Sequence, residues 1–433
     1  MIMNKFQVVK GMRDFWPAEM LRRQFVQQIM SDVAQRWGFL PTDTPALESF
    51  GLLAAKGGGG EEIKKEIYYF KDQGNRELGL RFDLTVPTAR LVASKLDLPL
   101  PFKRYATGKV WRYDNPQAGR YREFQQFDLD IFGSGKPEAD AEIVAATCDI
   151  FDALGFEDFI IRLNNRKLIE AFVDFVGIKD VVGVFRSIDK LDKIGEEGVR
   201  KELKEKLNDD RKIGKILEFI KIKGGSEILD KAGKLVDNQL GKNAITELRD
   251  IIGFVKAFGY EKSVKIDFSL VRGLEYYTGA VFEVGVGGKL SLAGGGRYDN
   301  MIKQFGGKDI PAVGIGLGFE RIVDAMEDNK MFKLEAPVKL FVVSVSDNVR
   351  PDALKICQRF RREGISADFD LTGKNLSAQL KYANSCSIPF VLFVGEKELK
   401  DKKFKLRDMV CGEEKVSGLE EIIKTLKNFS SPV

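Results

Sequence analysis

The residues best equipped for chemistry lie in one stretch, FKRYATGKVWRYDNPQAGRYREFQQFDLDIFG, residues 102–133. Both ends read as strands and residues 115–119 read as a turn, which predicts an antiparallel hairpin with a long loop. Side chains alternate across a strand. Phe124, Gln126, Asp128 and Asp130 therefore share one face of the second strand. Phe127, Leu129 and Ile131 share the other, which must be buried. Arg112 and Asp114 share a face on the first strand. A ring, an amide, carboxylates and an arginine in one row form a mixed donor–acceptor set, unlike the Lys, Glu and Thr of a solvated strand. Arginine offers a planar fork to phosphate oxygens. A phenylalanine ring can stack on a base. A carboxylate beside an amide can hold the ammonium or polar side chain of an amino acid.

Composition narrows the mechanisms. The chain has 433 residues and not one histidine. Histidine-based triads are excluded, so any general acid or base must be Asp, Glu, Lys, Tyr, a water or the substrate itself. Cys148, Cys357, Cys386 and Cys411 form no CxxC pair, so a structural zinc site lacks ligands, and disulfides are not expected. The net charge of +5 permits a polyanionic partner without demanding one. No apolar run approaches the roughly 20 residues that span a bilayer. The first residues, MIMNKFQVVKGMRDF, lack the apolar core of a signal peptide. The expectation is a cytoplasmic protein with no membrane partner.

The elements that must position these residues follow from periodicity. A helix begins at Pro17 and ends at Gly38, with Leu21, Phe25, Ile29, Val33 and Trp37 as its core stripe. Residues 39–135 read mostly as strands and loops. The glycine run 57–60 lacks the GK[ST] ending of a phosphate loop and reads as a flexible loop. Residues 138–154 read as a helix. The block 165–260, rich in Lys, Glu, Asp and Ile at helical spacing, reads as a helical insertion with solvated charged faces. Strands return at 265–320, and a helix follows at about 318–329. Beyond a break at 327–339, strand and helix alternate, which predicts a small α/β domain with a mainly parallel sheet. On spacing alone, Tyr276 and Tyr277 fit a core as well as a site. Gly294, Gly295 and Gly296 likewise fit a turn needing positive φ.

Several segments together resemble a known family. Arg112, the loop and GRYREF resemble motif 2 of the class II aminoacyl-tRNA synthetases. TDTPALES at 42–49 resembles motif 1, with Pro45 as its proline, and GIGLGFERI at 314–322 resembles motif 3, with Arg321 as its arginine. LVRGLEYYTG (270–279) and AGGGRYDN (293–300) resemble the two signature segments of the histidyl-tRNA synthetase family. LRFDLTVPTAR (80–90) resembles its archaeal and eukaryotic branch.

That resemblance implies an α+β catalytic domain with a mostly antiparallel sheet, a helical insertion and a C-terminal α/β anticodon-binding domain. The expected divisions are 1–164 and 261–329 for the catalytic domain, 165–260 for the insertion, 330–338 for a linker and 339–433 for the anticodon-binding domain. It implies ATP-dependent activation of L-histidine and its transfer to tRNA-His, with Mg2+, in a homodimer whose interface includes motif 1. For ATP it implies Arg112 on the α-phosphate, Phe124 and Arg321 on either face of adenine, Asp114 at the adenine end and Arg120 on the polyphosphate tail. For histidine it implies Asp83, Thr85, Gln126, Asp130, Arg272, Tyr276, Tyr277 and Tyr298. Arg272, against the α-phosphate, is the expected catalytic cation beside Arg112, where other class II enzymes use a metal ion. Bacterial members carry glutamate at the positions of Asp83 and Asp130. A rival from another class is a non-catalytic, synthetase-like regulatory subunit of ATP phosphoribosyltransferase. It generally lacks the anticodon domain and loses synthetase residues.

Overall fold

A computed structural model describes residues 6–55, 65–95, 97–115, 119–271, 276–287, 290–332 and 336–429. The chain divides into two compact units, Met1–Met331 and Phe332–Val433.

The first unit is organised by a nine-stranded sheet. Its strands are β1 (Leu40–Pro41), β5 (Phe102–Trp111), β6 (Glu123–Phe132), β7 (Phe159–Asn165), β8 (Lys223–Gly224), β9 (Val264–Asp267), β10 (Ala280–Val286), β11 (Leu290–Arg297) and β12 (Ala312–Leu317). Their order is β1-β5-β6-β12-β11-β10-β7-β9-β8, antiparallel except at β1–β5 and β7–β9. A small antiparallel sheet, β2 (Leu47–Ser49), β3 (Tyr69–Lys71) and β4 (Glu77–Leu80), lies apart from it.

The hairpin β5–β6 pairs Arg104 with Asp130, Gly108 with Gln126 and Val110 with Phe124. Phe127, Leu129 and Ile131 are buried on its far face, as alternation requires. There the helices Pro17–Arg36 and Pro137–Ala153 back the sheet. Gln35 Nε2 donates to the Tyr105 hydroxyl at 2.9 Å, and Lys103 pairs with Glu142. Pro137–Ala153 is buried over most of its surface, from Ala139 to Phe151, as suits a helix packed between layers.

Three local expectations change. In helix Pro17–Arg36 the buried residues are Arg23, Val26, Met30, Val33 and Ala34, while Leu21, Phe25 and Ile29 are only half-buried. An i+4 row advances about 40° round the helix per step, so a long one cannot stay on one face. Within the stretch read as strands and loops, Thr85–Ser94 is a helix. Asp83 Oδ1 accepts from Val86 N at 2.9 Å, and Pro87 sits in the first turn, where its missing N–H is not needed. Gly294, Gly295 and Gly296 lie in β11 with no positive φ among them, so a turn is not their reason.

The block read as an insertion forms helices Arg166–Phe175, Val181–Ile188, Leu191–Leu207, Asp210–Ile220, Ile228–Leu235 and Gln239–Ala257. Asn165, Asp180, Asp209 and Asn238 cap four of them through side-chain oxygens. The block leaves the sheet after β7, contributes the short edge strand β8, and rejoins the sheet at β9, the parallel neighbour of β7; Gln239–Ala257 packs on Pro137–Ala153.

The second unit holds β13 (Leu340–Ser344), β14 (Ala367–Phe369), β15 (Phe390–Val394), β16 (Phe404–Asp408) and β17 (Glu414–Ser417), in the order β14-β13-β15-β16-β17. The first three are parallel, as expected. The last two form an antiparallel hairpin, so the sheet is mixed rather than mainly parallel. Helices Arg350–Arg362 and Leu419–Asn428 cover it through Ile356, Phe360, Ile422 and Leu426.

Candidate active site

The sheet face opposite the two backing helices carries the polar row of β6, and a cleft of about 630 Å³ opens on it. Its floor follows from register. Asp130 lies opposite Gly314 and Asp128 opposite Gly316 on β12; Gly314 and Gly316 in turn face Gly296 and Gly294 on β11. Two adjacent strands are thus bare where the β6 carboxylates stand. A Cβ on Gly314 would lie 1.9 Å from Asp130 Oδ1, and one on Gly316 would lie 3.2 Å from Asp128 Oδ1. Glycine is used here for close approach and open space.

The inner end of the cleft is acidic and buried. Asp130 lies 2.5 Å from Arg104, a side chain with no exposure at all, and accepts from the Tyr298 hydroxyl. Asp83, Asp128, Tyr277 and Tyr298 are buried; Thr85, Gln126 and Tyr276 are half-buried. The rings of Tyr276 and Tyr277 lie 4.3 Å apart. Burial pushes both Tyr277 and Tyr298 well above the ordinary phenol value, and the charges of Asp130 and Asp128 add to it. Both phenols are therefore neutral donors at physiological pH. Gln126 Oε1 is buried with no hydrogen-bond partner among the described residues.

The outer end is cationic and wetter. Arg112 Nε donates to Phe82 O at 3.0 Å, and its guanidinium lies 5.1 Å from the centre of the Phe124 ring. Arg120 is exposed, and Asp114 is half-buried. Arg321 lies in the first turn of the helix Phe319–Asp328, and its Nη1 donates to Ser291 O at 2.7 Å. Glu320, beside it, gathers the rear of this end. It accepts from Arg13 at 2.5 Å, from Arg23 at 2.6 and 2.8 Å, and from Gln125 N at 3.0 Å. Burial pushes its carboxyl up, but the Arg23 bonds and charge, the Gln125 N–H and Arg13 outweigh it and hold it below the ordinary range. Arg13 also lies 3.4 Å over the Tyr121 ring.

A third wall comes from the sheet's far side. Arg162 on β7 pairs with Glu283 on β10 and lies 3.2 Å from Asp192 and 3.4 Å from Asp267. Burial alone would lower its affinity for a proton, but these carboxylates raise it, Glu283 most. Asp192 belongs to helix Leu191–Leu207, so the helical block reaches the cleft.

Every sequence-derived site residue within the described residues lines this one cleft: Arg112, Asp114, Arg120, Phe124 and Arg321 outside; Asp83, Thr85, Gln126, Asp130, Tyr276, Tyr277 and Tyr298 inside. Arg272 lies outside the described residues, as does the glycine run 57–60. Sequence reasoning gave no role to Arg104, Asp128, Arg162 or Glu283. Asp128 was visible in the alternation of β6. The others read as ordinary strand charges until strand order is known. Among the described residues no group of three or more acidic or cysteine side chains could hold a metal ion.

Residues 11–322 match the histidyl-tRNA synthetase family, and residues 339–429 match the anticodon binding domain family. A histidine–tRNA ligase of Clostridium tetani is 38% identical over 436 residues, covering 98% of this chain and 98% of that protein. A crystal structure of histidyl-tRNA synthetase from Nostoc sp. PCC 7120 superposes with a TM-score of 0.87 at 30% identity, covering 98% of this chain and 99% of that one. A Bacillus halodurans structure described as an ATP phosphoribosyltransferase regulatory subunit/histidyl-tRNA synthetase has a TM-score of 0.77 at 25% identity, covering 90% of this chain and 99% of that one.

Proposed function

The chain belongs to the histidyl-tRNA synthetase family, and on that premise we propose how its cleft activates L-histidine with ATP and passes it to the 3′ end of tRNA-His. The observation that carries the proposal is a single cleft with a buried acidic end and a cationic end on one hairpin.

The imidazole and ammonium groups of histidine sit at the inner end, against Asp83, Thr85, Gln126 and Asp130, with Tyr276, Tyr277 and Tyr298 completing the pocket. ATP lies at the outer end. Arg112 holds the α-phosphate, Phe124 and Arg321 sandwich adenine, Asp114 meets its edge and Arg120 meets the phosphate tail. The histidine carboxylate attacks the α-phosphorus, forming an O–P bond as the bond to the β-phosphate oxygen breaks and pyrophosphate leaves. Negative charge builds on phosphoryl oxygens, so fixed cations lower the barrier with no proton transfer. Arg272 is proposed as the second such cation, beside Arg112. Mg2+ would arrive with the nucleotide phosphates, which suit a cation that keeps its waters; the described residues offer it no cage of three or more acidic or cysteine side chains.

In the transfer step the tRNA ribose hydroxyl attacks the adenylate carbonyl, forming the ester as the bond from that carbonyl carbon to the phosphate oxygen breaks and AMP leaves. The adenylate phosphate is the proposed proton acceptor; the chain has no histidine to serve, and Tyr277 and Tyr298 hold their protons tightly. A homodimer through the motif 1 region is supported by Leu40 and Leu47, 60% and 43% exposed. No helix among the described residues is long and apolar enough to cross a membrane, in keeping with the proposed cytoplasmic location.

Histidine-dependent ATP–pyrophosphate exchange, followed by charging of a tRNA-His transcript, tests the reading. Exchange with histidine and not with the other amino acids is expected. Folded protein with no exchange would favour the regulatory-subunit reading instead.

A further inference from the structure

Arg104 is a guanidinium with no exposure and no place on the cleft wall, yet it lies directly behind the residue proposed to read the substrate. The β5–β6 register sets Arg104 opposite Asp130, which puts the two side chains on the same face as cross-strand neighbours. Arg104 Nη2 lies 2.5 Å from Asp130 Oδ2, while Asp130 Oδ1 takes the Tyr298 hydroxyl. Each oxygen of the carboxylate is thus engaged by a different group. None of the three Arg104 nitrogens makes a hydrogen bond of good geometry with a described residue. A guanidinium placed there serves as a charge more than as a hydrogen-bonding bracket.

The need for that charge follows from the neighbourhood. Asp128 and Asp130 are two residues apart on one face, both buried, with Asp83 lining the same cleft. Buried like charges at close range favour protonation of one of them. A protonated carboxyl could donate to a ring nitrogen as well as accept from one, and would lose its preference for a ligand N–H.

We propose that Arg104 is a positioning residue for substrate selection: the buried counter-ion that keeps the Asp130 carboxylate ionised and aimed, so that the cleft presents a fixed anion to the imidazole of histidine. It touches no substrate. The proposal deepens the functional reading above and rests on Asp130 meeting the amino acid.

The test uses the full-length enzyme in pyrophosphate exchange, with Arg104→Met, Arg104→Lys, Asp130→Asn and the double variant R104M/D130N, each checked by thermal unfolding. Arg104→Met is expected to raise the histidine KM roughly 30-fold or more, the scale of a lost hydrogen bond to a charged group. The ATP KM stays within about twofold, since the outer end is untouched. Arg104→Lys, which keeps the charge, recovers most of the loss. The double variant is no worse for histidine than Asp130→Asn alone, because the arginine acts only through the carboxylate. Should Arg104→Met fail to fold, Arg104→Lys and the charge-free double variant carry the comparison. Equal rises in both KM values, or an unchanged histidine KM in a folded Arg104→Met, would overturn the proposal. If instead Asp130→Asn itself leaves the histidine KM unchanged, the underlying assignment of Asp130 fails.

Discussion

The two ends of the β5–β6 hairpin share a sheet, a face and a cleft, but they are held in different ways. At the inner end Arg104, Asp128, Asp130 and Tyr298 are all 3% exposed or less, and each is pinned by a partner on a neighbouring strand or by burial. At the outer end Arg112, Asp114 and Phe124 are half-buried and Arg120 is exposed, on a loop beyond the strands. The difference matches what each end must recognise. A small amino acid is told from its rivals by a few polar contacts in a dry, fixed pocket, where an unmade contact costs most. A triphosphate carries its own charge and is met by cations that stand nearer to solvent. Changes at the inner end should therefore alter selectivity and stability together. Changes at the outer end should alter rate or nucleotide affinity and leave the fold alone.

The sharpest way to break that contrast is Arg112→Ala. It should lower the exchange kcat about 10²–10³-fold, the usual loss on removing one fixed donor to transition-state charge, with the unfolding temperature unchanged. A parallel drop in stability would show that the outer end is load-sharing after all. Gly314→Ala should do the reverse. The new methyl meets Asp130 Oδ1 and, at 2.7 Å, the Leu129 carbonyl. A loss of about 1–3 kcal/mol in denaturant unfolding is expected, as for overpacking elsewhere, together with a raised histidine KM and an unchanged ATP KM. Phe124→Ala should raise the ATP KM about tenfold, the worth of one base stack, with the histidine KM held; equal changes in both would merge the two ends into one site. The smallest effect tests the hub behind the outer end. Glu320 has a folded pKa below its ordinary value, so its stabilisation is present above the unfolded carboxyl value and lost as pH falls through the lower folded one. Glu320→Gln should cost on the order of 1 kcal/mol at neutral pH, and the gap to the parent should close below about pH 4.

Much of this was legible in the sequence because the hairpin's information is local. Alternation from Phe124 to Asp130 placed the polar row without any knowledge of the sheet, and LVRGLEYYTG with AGGGRYDN pointed to the family. What escaped is non-local. Arg104 and Arg162 point into the protein because of the strands beside them, and nothing in FKRYATG or FIIRLNN says which strands those are. Gly294 and Gly296 looked like turn glycines because a bare sheet surface and a turn both ask for glycine. In helix Pro17–Arg36 the true inner face includes Arg23, whose burial depends on Glu320, nearly 300 positions away. The β16–β17 hairpin went unread because its short, Lys- and Glu-bearing strands carry little apolar signal.

Strand order has a consequence for how the protein is made. The strand that completes β6 on its site side is β12, which begins at Ala312, 180 positions after β6 ends at Phe132. At ribosomal speeds of about 5–20 residues per second, one edge of β6 waits roughly 10–40 s for its neighbour. In that interval the nascent chain exposes unpaired N–H and C=O groups to any passing strand. The glycine-bearing strand arrives last and is slotted between two that are already made, so the floor of the cleft is the final part of the sheet to close.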